Sequence, residues 1–181
     1  MILYLFIFSR HGKMRLKKWF QYFTDKEKTT ITTDLTTIIL SRKRSMCNVL
    51  EYGEHKVLEI LCVPCILYIS NFFISLIIIK KVIYKRYASL YFVAGIDWDE
   101  NELYTLEVIH RYVQILDEFF GNVCELDIIY NFDKAYYALD ELFMAGELQE
   151  PNKKAVIRHI KSFEQTCQLD ILTRNLEETI K

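Results

Sequence analysis

Glycine and proline are scarce in this chain, five and two among 181 residues. With 12 Tyr, 12 Phe and 2 Trp alongside, that scarcity excludes an intrinsically disordered chain. Gly12, Gly53, Gly95, Gly121 and Gly146 each fall at or near the end of a predicted element, so none remains for a phosphate-cradling loop. An excess of one charge is also missing. Lysine and arginine number 23 against 24 aspartates and glutamates, which removes the global field expected of a nucleic-acid binder. The basic residues do bunch locally, at Arg10, Lys13, Arg15, Lys17 and Lys18, at Arg42-Lys43-Arg44, and at Lys85-Arg86. A solvated face is the ordinary reading of such runs.

Paired cysteines are lacking too. The five (Cys47, Cys62, Cys65, Cys124, Cys167) are odd in number and irregular in spacing, which is no disulfide framework. The N-terminal MILYLFIF has no basic lead and reads as a strand, not a signal peptide. A reducing compartment is expected, the cytosol or the cytosolic face of a membrane. The four histidines are scattered rather than spaced as ligands, and Cys62-Val63-Pro64-Cys65 has no second ligand pair. No catalytic, cofactor or metal residue is therefore predicted, and the chain reads as a binding protein, not an enzyme.

What the chain does have is one long apolar run. Ile60–Ile79 carries no charged side chain, is long enough to cross a bilayer as a helix, and is closed by Lys80-Lys81. Taken alone it supports a single-span membrane protein anchored by 60–79. Its flanks, however, read as two parts of one β meander, so 57–81 is expected to be an insert interrupting a strand. Excision would join Lys56 to Val82 and give KVIYKRY. A valine codon begins with GT and a lysine codon can end in AG, so a retained intron from Val57 through Lys81 would keep the frame.

Around the insert, 2–8 and 14–23 predict a hairpin. Thr24-x-x-Glu27 is a capping box opening a helix over 25–41, with Ile31, Leu35, Ile38 and Ile39 on one face. Strands follow at 46–52, at 56 resuming at 82, and at 88–96. Asp99 to Glu102 offers a second capping box, and Leu103, Leu106, Ile109, Val113, Leu116 and Phe120 trace the buried stripe of a long helix closed by Gly121-Asn122. Asn131 is expected to cap a helix over 132–145 with Gly146 at its C′ position, and Pro151 to open a last helix reaching about Thr166. Strands first and helices later predict an α+β fold with an antiparallel sheet. The domain is expected over 1–166, followed by a variable tail, 167–181. Ala88, Leu90, Val113 and the segment 122–128, with Arg15 at the rim, suit an apolar peptide with an acidic end; plain core packing explains the apolar ones equally well.

SRHGKMRLKKWF, YKRYASLYFVAGID and NELYTLEVIHRYVQILDEFFGNVCELDIIYNFDKAYYALDELFMAGEL, in that order, resemble the small sigma subunit of the clathrin adaptor complexes, most closely that of adaptor complex one. The likeness runs from Met1 to about Lys161 except for 57–81. It implies a longin-like fold, five antiparallel strands flanked by helices, and a non-enzymatic role. It further implies a heterotetramer with a large subunit of gamma type and with beta and mu subunits, at the trans-Golgi network and endosomes. Clathrin and membrane would be reached through that complex. The resemblance also implies that acidic dileucine signals, [DE]xxxL[LI], in cargo tails are recognised: Arg15 falls where the acidic end is met, and Ala88, Leu90, Val113, Asn122, Val123, Leu126 and Ile128 fall where the leucines are received.

Overall fold

The computed structural model describes residues 1–43, 45–52 and 80–179. Two compact units result, Met1–Ile109 and His110–Lys181. In the first, β1 (Ile2–Ser9), β2 (Met14–Trp19), α1 (Asp25–Ser41), β3 (Val49–Tyr52), β4 (Lys80–Tyr87) and β5 (Leu90–Ile96) are followed by α2 (Glu102–Phe120), which continues into the second. The strands form one antiparallel sheet in the order β2-β1-β5-β4-β3.

β1 is an unbroken apolar run that lies inside the sheet between β2 and β5, buried at every position. Tyr4, Phe6 and Phe8 share one face and pack with Phe23, Leu35, Ile39, Val82, Tyr84 and Val93 in a single cluster that α1 covers. Tyr4 stacks on Phe6 with ring centres 4.8 Å apart, and Trp19 lies tilted 5.4 Å away. Opposite Tyr4 in the ladder stands Gly95, where an added Cβ would lie 2.1 Å from the tyrosine ring. This close approach is what the glycine is for. Tyr4 Oη has no hydrogen-bond partner, and burial pushes its hydroxyl up from the ordinary tyrosine range.

The Thr24 box forms as expected: Glu27 accepts from the Thr24 amide at 2.8 Å, and the Thr24 hydroxyl accepts from the Glu27 amide at 3.4 Å. The threonine load of α1 is accommodated locally, because Thr29, Thr30, Thr32, Thr33, Thr36 and Thr37 each donate to the carbonyl four residues earlier.

Several expected boundaries are corrected. β2 stops at Trp19, since the amides of Phe20 and Gln21 both turn to the Leu3 carbonyl. β3 begins only at Val49, because the Cys47 carbonyl is taken by the Arg42 guanidinium at 2.9 Å and the Tyr84 hydroxyl at 3.2 Å. β4 starts at Lys80, two residues inside the segment read as insert, and Lys80 and Lys81 pair with Tyr52 and Glu51. Ala88 lies in the β4–β5 turn at φ 49°, not in a strand. The cap of α2 is Asn101, whose side chain accepts from the amides of Leu103 and Tyr104, rather than Asp99. Leu103, expected on the buried stripe, faces solvent, 76% exposed, while Thr105, Val108 and Ile109 are buried.

In the second unit, Gly121 and Asn122 close α2 in the left-handed region, both at φ 68°. α3 (Glu125–Tyr130), which periodicity missed, precedes α4 (Phe132–Leu142). Asn131 stands at the start of α4, but its side chain donates back to the Asp127 carbonyl instead of capping. α4 ends earlier than expected because β6 (Phe143–Met144) and β7 (Glu147–Leu148) form a small hairpin. Ala145 and Gly146 turn it at φ 50° and 84°, so Gly146 serves a two-residue turn and not a helix end. α5 (Lys153–Thr179) opens at Asn152, which accepts from the Lys154 amide, and runs past Thr166.

The pairing of β3 with β4 bears on the membrane reading. Residues 60–79 lie outside the described residues, yet Val49–Tyr52 before them and Lys80–Ile83 after them share one ladder. A single crossing would put those strands on opposite faces of a bilayer, so that reading does not fit this sheet. No helix among the described residues is long and apolar enough to cross a membrane.

Two outcomes are expected from this packing. Gly95→Ala lowers unfolding free energy by about 1–3 kcal/mol, the usual cost of overpacking, whereas Tyr4→Phe, which deletes only an unpaired buried hydroxyl, leaves it unchanged or raised; urea denaturation reads both. The second concerns Lys81, which bonds Glu102 at 2.6 Å and lies 4.7 Å from the Trp98 ring centre. That hydrogen bond holds the Glu102 carboxyl below its usual range. A depressed carboxyl stabilises the fold above its unfolded pKa and loses that contribution as pH falls through the folded one. Thermal unfolding of Lys81→Met should therefore fall furthest short of the parent at neutral pH, with the gap narrowing in acid.

Candidate functional site

Three of the predicted residues lie in the first unit, at one end of the sheet. Between Ile7 and Phe8 the β1–β2 register slips, with Ile7 opposite Leu16 and Phe8 opposite Met14. Arg15 is the extra residue of that bulge, a feature that bends a strand and re-aims its side chain. The same end holds the β4–β5 turn, tied to the β1–β2 turn by the Arg10 amide donating to the Ser89 carbonyl at 3.0 Å. Ala88 is exposed in this turn, and its carbonyl accepts from Arg86 Nε at 3.0 Å. Leu90 begins β5 opposite Ser9 and is buried.

Charge at this end has one sign. Residues 1–24 and 80–96 contain no carboxylate, while Arg10, Lys13, Arg15, Lys85 and Arg86 flank the two turns. Aromatic faces hold part of this charge in place: Arg86 lies 5.6 Å from the Tyr91 ring centre and Lys85 5.3 Å from that of Tyr87. An acidic group arriving here meets cations from both turns. In the sequence Arg10 and Arg86 stand out only as members of basic runs read as a solvated face; the further signal is the missing carboxylates on both sides of each turn.

The other five residues lie in the second unit, around the connection from α2 to α3. Two aspartates hold it. Asp117 accepts from the amides of Gly121 and Asn122 through its carbonyl and from the Val123 amide through its carboxylate at 3.1 Å. Asp127 accepts from the Cys124 amide at 2.8 Å, and this bond holds its carboxyl below the usual range. Asn122 has a conformational reason for its identity, since asparagine tolerates the left-handed backbone better than most residues. Val113 on α2 and Ile128 on α3 are buried, Val123 is half-buried, and Leu126 is 57% exposed. Of the two readings open for the apolar residues, plain core packing thus suits Val113 and Ile128, which are buried. Leu126 and Val123 are accessible, with Val113 and Ile128 as apolar packing behind the surface.

Among the described residues no group of three metal-ligating side chains occurs. Cys62 and Cys65 lie outside the described residues.

Residues 1–63 and 64–168 match the model of the clathrin adaptor complex small chain. AP-1 complex subunit sigma-2 of Dictyostelium discoideum is 48% identical over 157 residues, 87% of this chain and 86% of that one. AP-1 complex subunit sigma-1A of Homo sapiens is 41% identical over 178 residues, 98% and 97% of the two chains. AP-1 complex subunit sigma-1 of Schizosaccharomyces pombe is 41% identical over 180 residues, 99% and 95%. A chain of a homology model of the full-length AP-3 complex in a stretched open conformation shares the fold, with a TM-score of 0.63 at 24% identity, covering 96% of this chain and 99% of that chain. The ordered sequence blocks, the five-stranded antiparallel sheet and these matches lead to one conclusion: the chain belongs to the clathrin adaptor complex small chain family, a non-enzymatic family of vesicle trafficking components.

Proposed function

We propose that this chain is the small subunit of a heterotetrameric clathrin adaptor, working in the cytoplasm at the trans-Golgi network and endosomes and helping to read acidic dileucine signals in cargo tails. The relatives carry AP-1 names, which supports adaptor complex one and, with it, a gamma-type large subunit beside beta and mu. Clathrin and the membrane are reached through those partners.

The observation that supports the signal-reading half is the gathering of basic residues from two carboxylate-free stretches, 1–24 and 80–96, at one end of the sheet, with Arg15 on its bulge. An [DE]xxxL[LI] peptide needs a cation for its acidic residue and apolar surface for its leucines. Arg15 takes the first role. Leu126 and Val123 supply accessible apolar surface in the second unit, backed there by Val113 and Ile128. Ala88, Leu90 and Asn122 complete the set, Ala88 and Asn122 through the backbone conformation they hold.

Peptide affinity of the assembled complex tests this. Arg15→Glu reverses charge at the acidic end and should weaken a [DE]xxxL[LI] peptide several-fold, more at low ionic strength than at high. Val113→Asp places a carboxylate behind the apolar surface and should cost at least about tenfold, about 1.4 kcal/mol. Unchanged affinity for both variants removes these residues from the site. Loss of complex assembly with Val113→Asp makes it core.

A further inference from the structure

β4 is buried at Val82 and Ile83, and these residues fix the ladder: Val49 faces Ile83, Leu50 faces Val82, Glu51 faces Lys81, and Tyr52 faces Lys80. The same residues are also held on the other side by β5, where Val82 faces Gly95 and Ile83 faces Ala94. Whatever residue precedes Val82 in the chain must therefore occupy the position opposite Glu51. In this sequence two residues are able to do so without changing the chemistry there, because Lys56 and Lys81 bracket residues 57–80 with the same side chain.

We propose that residues 57–81 are a removable segment, and that the working form of the protein lacks them and closes β3 and β4 through the turn Gly53-Glu54. With 57–81 absent, Lys56 directly precedes Val82 and takes the place of Lys81. His55 then faces Tyr52. The loop left between Tyr52 and His55 is two residues, Gly53 and Glu54. Two-residue loops are the commonest hairpin connections, and the type II′ turn asks for glycine at the first of its two central positions, where Gly53 stands. Lys56 also inherits the surroundings of Lys81: Glu51 across the ladder, the Glu102 carboxylate and the Trp98 ring. The observed register fixes the turn length, and the turn residue and the junction side chain agree with it. A segment joined to the sheet at an arbitrary point would satisfy them together only by accident.

The test compares the full chain with a chain lacking 57–81. The shorter chain is expected to fold to the same sheet and to melt at a higher temperature, since closing a two-residue loop costs less chain entropy than closing one that spans 53–79. Double-mutant cycles give the sharper reading. In the full chain Lys81→Met and Glu102→Gln should be coupled; in the shorter chain the same coupling should pass to Lys56→Met and Glu102→Gln. A shorter chain that fails to fold, or one that folds without coupling between residues 56 and 102, overturns the proposal. Sequencing of cDNA across these codons is expected to find codon 56 joined to codon 82. Messages that all retain the intervening codons overturn the claim about the working form, even where the shorter chain folds.

Discussion

Everything in the first unit hangs from the double pairing of β1. Its ladders with β2 on one side and β5 on the other join the two hairpins of the sheet, and a side chain helps to hold its register against β5. Tyr4 lies over Gly95 so closely that no Cβ fits between them, while its ring stacks on Phe6 and leans against Trp19 and Phe23. Sliding β1 by two residues along β5 would preserve the buried face but bring a residue with a Cβ under that ring. The glycine thus selects one register among those that the hydrophobic pattern alone allows.

That constraint propagates to the charged end. With β1 fixed against β5, the turn at Gly12 and the turn at Ala88-Ser89 come together through the Arg10 to Ser89 bond, and two stretches free of carboxylates meet. Neither stretch is unusual by itself, and net charge near zero conceals them. Among the described residues of the first unit the acids lie on α1, on β3, on the approach to α2 and on α2 itself, away from these two stretches in sequence. The cations are also partly immobilised, Arg86 by the Ala88 carbonyl and Tyr91, so holding an anion demands less new ordering of side chains than a set of free lysines would.

The first unit was legible where its signals are long: a seven-residue apolar run for β1, another apolar run in β5, and a Thr-x-x-Glu box whose bonds form as read. What misled were short polar signals with two valid partners. Asp99 and Asn101 both suit a helix start, and only the bonds to Leu103 and Tyr104 decide between them. Gly146 suits a helix end or a hairpin turn, and the choice depends on whether Phe143 and Leu148 pair, a nonlocal contact that no local pattern encodes. α3 was invisible for a related reason: six residues are too few for a helical period to declare itself. For the candidate site, residue types were legible and exposure was not. Leu126 and Ile128 look alike in a sequence, yet two positions apart on a helix they face in different directions, one to solvent and one to the interior.

The exposed leucine and the basic bulge differ in how they bear mutation. Arg15 sits on an irregularity whose backbone is set by Met14 and Leu16 against Phe8 and Ile7, so changing its side chain leaves the ladder intact and acts on charge alone. Val113 and Ile128 have no such independence, since any change there reaches both the interior and whatever the surface meets. Asn122 and Ala88 are constrained a third way, by backbone conformation in the left-handed region, where alanine is strained by roughly 1 kcal/mol or more. A residue can therefore recur at a binding site for its charge, its packing or its backbone. Among the residues proposed for signal binding, Leu126 is exposed and Arg15 and Val123 are half-buried, so their side chains are the ones whose exchange least disturbs core or backbone.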